Sequence, residues 1–181
     1  MANSRVNSRK FAASVALACA ALMSPVAYAA DITNPPGTIE IVDGGGFFGR
    51  LITGAMGGDT FADQYTFTAV GGSSIVADLF SYSGSPNNGV DITAFDLYSM
   101  GGTLVGTGTA IESDGIEQWQ LSTSGLAADT YYVQVSGSVK SAAPAVYSAS
   151  LAVTAVPEPA TYGMLLGGLA LVGAMTRRRR H

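Results

Sequence analysis

Carboxylates are the only side chains in this sequence numerous enough to suggest chemistry. Between Asp31 and Ala155 stand twelve acidic residues against two cations, Arg50 and Lys140, a local balance of 2 − 12 = −10. Asp59 and Asp63 are close enough in sequence to share a Ca²⁺ ion, which favours oxygen-rich loops. No Asp-x-Asp-x-Asp-Gly loop surrounds them, however. The stronger reading places Asp63 at the start of a strand, accepting N–H bonds from the adjoining loop. Glu112, Asp114 and Glu117 gather around Gly115 and read as a solvated acidic turn. Two carboxylates could hydrolyse a glycoside, but any of the twelve could be nominated and none is singled out.

Other chemistries fall away quickly. Cys19 is the sole cysteine and His181 the sole histidine, and both lie near the chain ends. The body between them therefore offers no thiol nucleophile, no imidazole base, no zinc site and no disulfide. No Gly-x-Ser-x-Gly elbow is present, and Ser-Lys chemistry would rest on Lys140 in a Ser- and Ala-rich loop. The expectation is a protein without enzymatic activity and without a cofactor. An acidic body does not collect phosphates, so nucleic acid is not an expected partner. Tyr82, Tyr98, Trp119 and Tyr132 could present aromatic platforms to sugars, although most strand aromatics are core. A carbohydrate-binding module is thus the alternative to a purely structural protein.

The two ends carry the basic residues and read as addresses. Arg5, Arg9 and Lys10 precede the apolar run Phe11–Met23, and Ser24-Pro25-Val26-Ala27-Tyr28-Ala29 closes it with small residues at Ala27 and Ala29. This is the layout of a secretory signal peptide over residues 1–29, with cleavage expected between Ala29 and Ala30. Thirteen apolar residues are too few for a membrane anchor. Lipidation at Cys19 is disfavoured because the apolar run continues past it.

At the other end, Pro157-Glu158-Pro159 forms a helix-resistant segment. The apolar stretch 160–176 follows, about 25 Å if helical and near the lower limit for a transmembrane helix. Arg177, Arg178, Arg179 and Arg180 come next, and such a cluster marks a cytoplasmic, stop-transfer flank. This order resembles the PEP-CTERM sorting signal of Gram-negative bacteria. The resemblance covers about residues 156–180 and implies recognition by an exosortase, a membrane-embedded cysteine protease, with processing near the proline motif. It also implies export across the inner membrane, anchoring there by the C-terminal helix before processing, and an association with extracellular polysaccharide and biofilm matrix.

The elements that must carry these features are strands. Residues 30–155 alternate apolar and polar side chains in short runs separated by Gly, Ser, Thr and Asp. Strands are expected near 38–42, 61–69, 74–80, 92–99, 103–108, 117–123, 130–136 and 146–154, with loops at Gly44-Gly45-Gly46 and Gly57-Gly58. Inward positions are Phe61, Asp63, Tyr65, Phe67 and Ala69, then Trp119 and Leu121, then Tyr131, Val133 and Val135, then Tyr147, Ala149, Leu151 and Val153. The expected fold is all-β, an antiparallel jelly-roll-like β-sandwich flanked by the signal peptide and a single C-terminal transmembrane helix, with residues 156–181 as the sorting segment. The spacing around Asp63–Phe67, Phe95–Tyr98 and Leu126–Val135 also resembles small sandwich domains appended to secreted bacterial peptidases. Phe61-Ala62-Asp63-Gln64-Tyr65 is similar to the Phe-x-Asp-x-Phe motif of one PEP-CTERM subgroup, with Tyr65 in the second aromatic place. That resemblance implies no enzymatic activity.

Overall fold

The computed structural model describes residues 28–82, 88–113, 116–142, 144–155 and 159–178, without the side chains of 159–161, 174 and 176–178. The apolar run expected to form the signal peptide, with Cys19, lies outside the described residues, as do Asp114, Pro157, Glu158, Arg179, Arg180 and His181.

The described residues form ten strands and one helix: β1 (Gly37–Thr38), β2 (Gly45–Ile52), β3 (Thr60–Ala69), β4 (Ser73–Tyr82), β5 (Val90–Ser99), β6 (Leu104–Thr107), β7 (Thr109–Glu112), β8 (Ile116–Leu126), β9 (Asp129–Val139), β10 (Ala145–Thr154) and α1 (Pro159–Arg178). They form two five-stranded sheets, β1-β3-β9-β5-β6 and β2-β10-β4-β8-β7. Every pairing is antiparallel except the short parallel contact of β1 with β3. From β2 to β5 the chain changes sheet at each step. The expected all-β class is what the structure has.

Alternation explains the core. In β9, Tyr131, Val133 and Val135 are buried while Tyr132 and Gln134 are half-buried on the opposite face. In β10, Tyr147, Ala149 and Leu151 are buried in the same way. The inner faces of both sheets meet in one apolar cluster that includes Leu79, Phe95, Leu97, Leu121 and Val133. Aromatic rings cross between the sheets: Phe61 of β3 lies parallel to Tyr147 of β10 at 5.6 Å, and Phe48 of β2 meets Tyr65 of β3 at 4.7 Å.

Three expectations need correction. The strand expected over 38–42 is only Gly37–Thr38, prolonged by the bond from the Ile39 N–H to the Thr66 carbonyl, and Val42 already belongs to the next turn. The triple glycine at 44–46 is not simply a loop. Asp43 (φ 51°) and Gly44 (φ 80°) are the centre of a two-residue turn closed by the Val42–Gly45 bonds, and β2 starts at once. Two positive φ values define the tight hairpin turn that Asp-Gly favours. The third correction concerns the expected transmembrane helix. The helix is present as α1, but no helix among the described residues is long and apolar enough to cross a membrane. Gly163, Gly167, Gly168 and Gly173, with Tyr162 at its start, dilute the apolar content of a segment already short for a span.

Candidate functional site

The Phe61–Tyr65 motif builds a buried polar cluster. Asp63, fourth in β3, is 1% exposed, a position where an unpartnered carboxylate would be very costly. Arg50 reaches it from β2 in the opposite sheet, placing Nη1 at 2.9 and 3.0 Å from the two carboxylate oxygens. Its Nη2 donates to the Ile32 carbonyl at 2.7 Å, and the Asn34 N–H donates to Asp63 Oδ1 at 2.8 Å. Tyr147 of β10 donates to Asp63 Oδ2 at 2.5 Å. That uses the one Tyr147 hydroxyl proton, so Tyr65 is the donor in the 2.8 Å contact between the two phenols. Burial first, and the bond to Asp63 second, push the Tyr147 phenol far up, so it stays a donor. Burial likewise raises Tyr65.

This arrangement settles how Asp63 is used. One of its donors is a loop N–H, as the sequence suggests, but the larger partners are Arg50 and Tyr147. Its oxygens face a guanidinium and are already engaged, which removes the Ca²⁺ reading with Asp59. Asp59 is itself tied to the Ala30 and Met56 N–H groups, each at 2.8 Å, and those bonds hold its carboxyl below the usual range. Among the described residues no group of three or more His, Cys, Asp and Glu is placed to hold a metal ion.

The second acidic group is also different from the expected solvated turn. Glu112 is exposed in β7, whereas Glu117 is 5% exposed in β8. Glu117 accepts from Ser81 Oγ at 3.0 Å and from the Ile92 N–H at 2.8 Å, and Lys140 lies 3.8 Å away. Burial raises its pKa, partly offset by those two hydrogen bonds. Sequence reasoning missed this role, although Glu117 shares the inward parity of Trp119 and Leu121.

The four candidate sugar-facing aromatics are not brought together. Trp119 packs against the core, and Tyr82 is 63% exposed on the outside of the β2-β10-β4-β8-β7 sheet. Tyr98 and Tyr132 do meet, register partners on the outer face of the other sheet, with rings 5.2 Å apart and 14° from parallel.

The sorting segment lies partly within the described residues. Pro159 opens α1, where its missing N–H costs nothing and its fixed φ suits the first helical turn. Residues 162–173 and 175 are exposed. Arg177 and Arg178 end the helix.

The family model of the PEP-CTERM protein-sorting motif matches residues 155–180. The chain thus carries that motif, which marks an exported protein sorted by an exosortase. No curated protein matches the chain. Similar solved structures include PliG from Aeromonas hydrophila, a periplasmic inhibitor of g-type lysozyme, at 21% identity and TM-score 0.43, covering 69% of this chain and 100% of that one. The pre-peptidase C-terminal domain of a Bacillus anthracis collagenase is 14% identical, with TM-score 0.34 and coverage of 72% and 99%. The baseplate tripod of bacteriophage Tuc2009 is 14% identical, with TM-score 0.28 and coverage of 83% and 95%. At these scores the likenesses extend to neither detailed topology nor function.

Proposed function

We propose that this chain, sorted through the motif at residues 155–180, is a non-enzymatic component of the surface or extracellular matrix of a Gram-negative bacterium. The observation that carries the reading is the matched motif, with Pro157-Glu158-Pro159, α1 and Arg177–Arg180 in that order. Residues 1–29 direct export and are removed after Ala29. The exosortase reads the extended proline segment, a form a protease can hold as a strand. The sorting segment as a whole holds the chain at the inner membrane until processing, and its arginines resist translocation, each costing about 2.5–3.5 kcal/mol at a bilayer centre.

The body supports a structural role, because the three buried carboxylates among the described residues, Asp59, Asp63 and Glu117, are each tied to groups of the fold. The connection of Phe61, Asp63 and Tyr65 in one cluster is consistent with the Phe-x-Asp-x-Phe subgroup. Strand orders 2-10-4-8 and 3-9-5-6, with the chain alternating between sheets, support the jelly-roll description. The proposal includes an association with exopolysaccharide or biofilm, as the resemblance implies.

Replacing Pro157-Glu158-Pro159 by three alanines tests the sorting reading. Full-length protein is expected to collect with the inner membrane. If the variant reached the exterior as efficiently as the parent, the prolines would be a linker and the assignment would fail.

A further inference from the structure

We infer that the outer face of the β1-β3-β9-β5-β6 sheet is a binding platform for a neutral polysaccharide. Strand register sets side chains of three strands in rows. Thr66, Tyr132 and Tyr98 form one row, and Gln64, Gln134 and Asp96 form the next. Strands lie about 4.8 Å apart, so each row runs roughly 10 Å straight across the face. The first row supplies a parallel pair of phenol rings and the second supplies two amides and a carboxylate.

These groups match the chemistry of an uncharged sugar chain. A pyranose offers a C–H face that packs on an aromatic ring, and a rim of hydroxyls that donate and accept. Amide side chains present donor and acceptor together. Gln64 Nε2 donates to Gln134 Oε1 at 3.2 Å, and Gln134 Nε2 donates to Ser136 Oγ at 3.2 Å. The row is therefore aligned before any ligand arrives. At its end, Asp96 Oδ1 is enclosed by the face yet accepts no hydrogen bond. A buried acceptor without a donor is unfavourable, and a sugar hydroxyl reaching it by displacing the neighbouring side-chain tips would satisfy it. Tyr98 remains a neutral phenol, its pKa raised first by burial and then by the Asp96 charge.

Charge selects the class of glycan. Asp96 and Asp91 bring negative charge to this face, and Lys140, the nearby cation among the described residues, is occupied at the sheet end by Asp91 at 3.3 Å and Glu117 at 3.8 Å. A uronic-acid polymer would meet repulsion here, whereas an uncharged one would not. This inference stands on the face itself. Only its setting, an exterior rich in polysaccharide, rests on the sorting reading.

The test is native affinity electrophoresis of the protein recovered from culture, in gels containing hydroxyethyl cellulose, dextran, galactomannan or alginate. Retardation by at least one of the three neutral polymers is expected, with little by alginate. Tyr98→Ala with Tyr132→Ala should weaken it tenfold or more, as should Asp96→Ala. Tyr82→Ala, on the other sheet, should leave it unchanged, and Tyr98→Phe should keep most of it. Circular dichroism confirms that each variant retains its strands, and the Asp96→Ala result decides should the double variant unfold. No retardation by any neutral polymer, retardation by alginate alone, or equal retardation of parent and Asp96→Ala would overturn the inference. None of these outcomes depends on how the chain is processed, so failure here leaves the sorting reading to its own test.

Discussion

At the scale of single residues, the informative fact is where the two cations of an acidic body are used. Arg50 is bonded to Asp63 and Lys140 lies beside Glu117, while the third buried carboxylate, Asp59, is held by backbone N–H groups instead. Asp63→Asn would leave the Arg50 guanidinium, with its side chain only 13% exposed, without its counter-charge. Removing one partner of a buried pair costs about 3–5 kcal/mol, which should lower the melting temperature by at least 10 °C in a thermal scan. Tyr147→Phe removes a bond to a charged acceptor, about 1.5–3 kcal/mol, while Tyr65→Phe removes a bond between neutral phenols, about 1 kcal/mol. Chemical denaturation of the two variants should rank them in that order. A reversed order would contradict the donor chain from Tyr65 through Tyr147 to Asp63.

Glu117 makes a pH-dependent case. Its folded pKa is raised above the unfolded value, so the folded state holds the proton more tightly. The stability linked to that proton is present below the ordinary glutamate range and lost as pH rises through the raised value. Glu117→Gln keeps an acceptor for the Ile92 N–H without the buried charge. Its stability relative to the parent should therefore improve from pH 4 to pH 8 in paired melting curves, and a constant difference would contradict the burial argument. Much of this was readable beforehand. Asp63 lies on the parity of Phe61 and Phe67, and Glu117 on that of Trp119 and Leu121. Glu117 nevertheless reads in the sequence as part of a solvated turn, and the pairing partners were hidden because Arg50 and Lys140 come from elements distant in sequence.

At the scale of elements, alternation located β3, β4, β5, β8, β9 and β10 within a few residues of their observed bounds. It failed where glycine replaced the apolar marks it depends on. β2 contains Gly45, Gly46 and Gly49; the first two read as loop, and no strand is expected at the third. Gly49 is there because the Tyr147 backbone oxygen would lie 2.5 Å from an added Cβ. Gly49→Ala should cost about 1–3 kcal/mol through displacement of β10, measurable by denaturant midpoint. No loss would mean that the two strands can separate freely at this point. β7, only four residues and exposed throughout, carries no burial pattern and so no signal in the sequence. For α1 the sequence indicated a helix correctly but overstated its apolar reach.

At the scale of the whole molecule, charge is divided between the acidic body and the basic ends, seven of the nine basic residues lying near the termini. Among the described residues, the core draws on positions from Ile32 to Val153. Residues 1–29 are proposed as one address, and the motif at 155–180 marks the C-terminal end as the other. The account's central claim is that an exosortase acts on this segment. Intact mass of the protein recovered from wild-type and exosortase-deficient cells tests it most directly. Wild-type cells should yield a chain beginning at Ala30 and lacking the arginine-rich tail, and deficient cells a chain beginning at Ala30 with that tail retained. The same C-terminal mass from both cell types would contradict it.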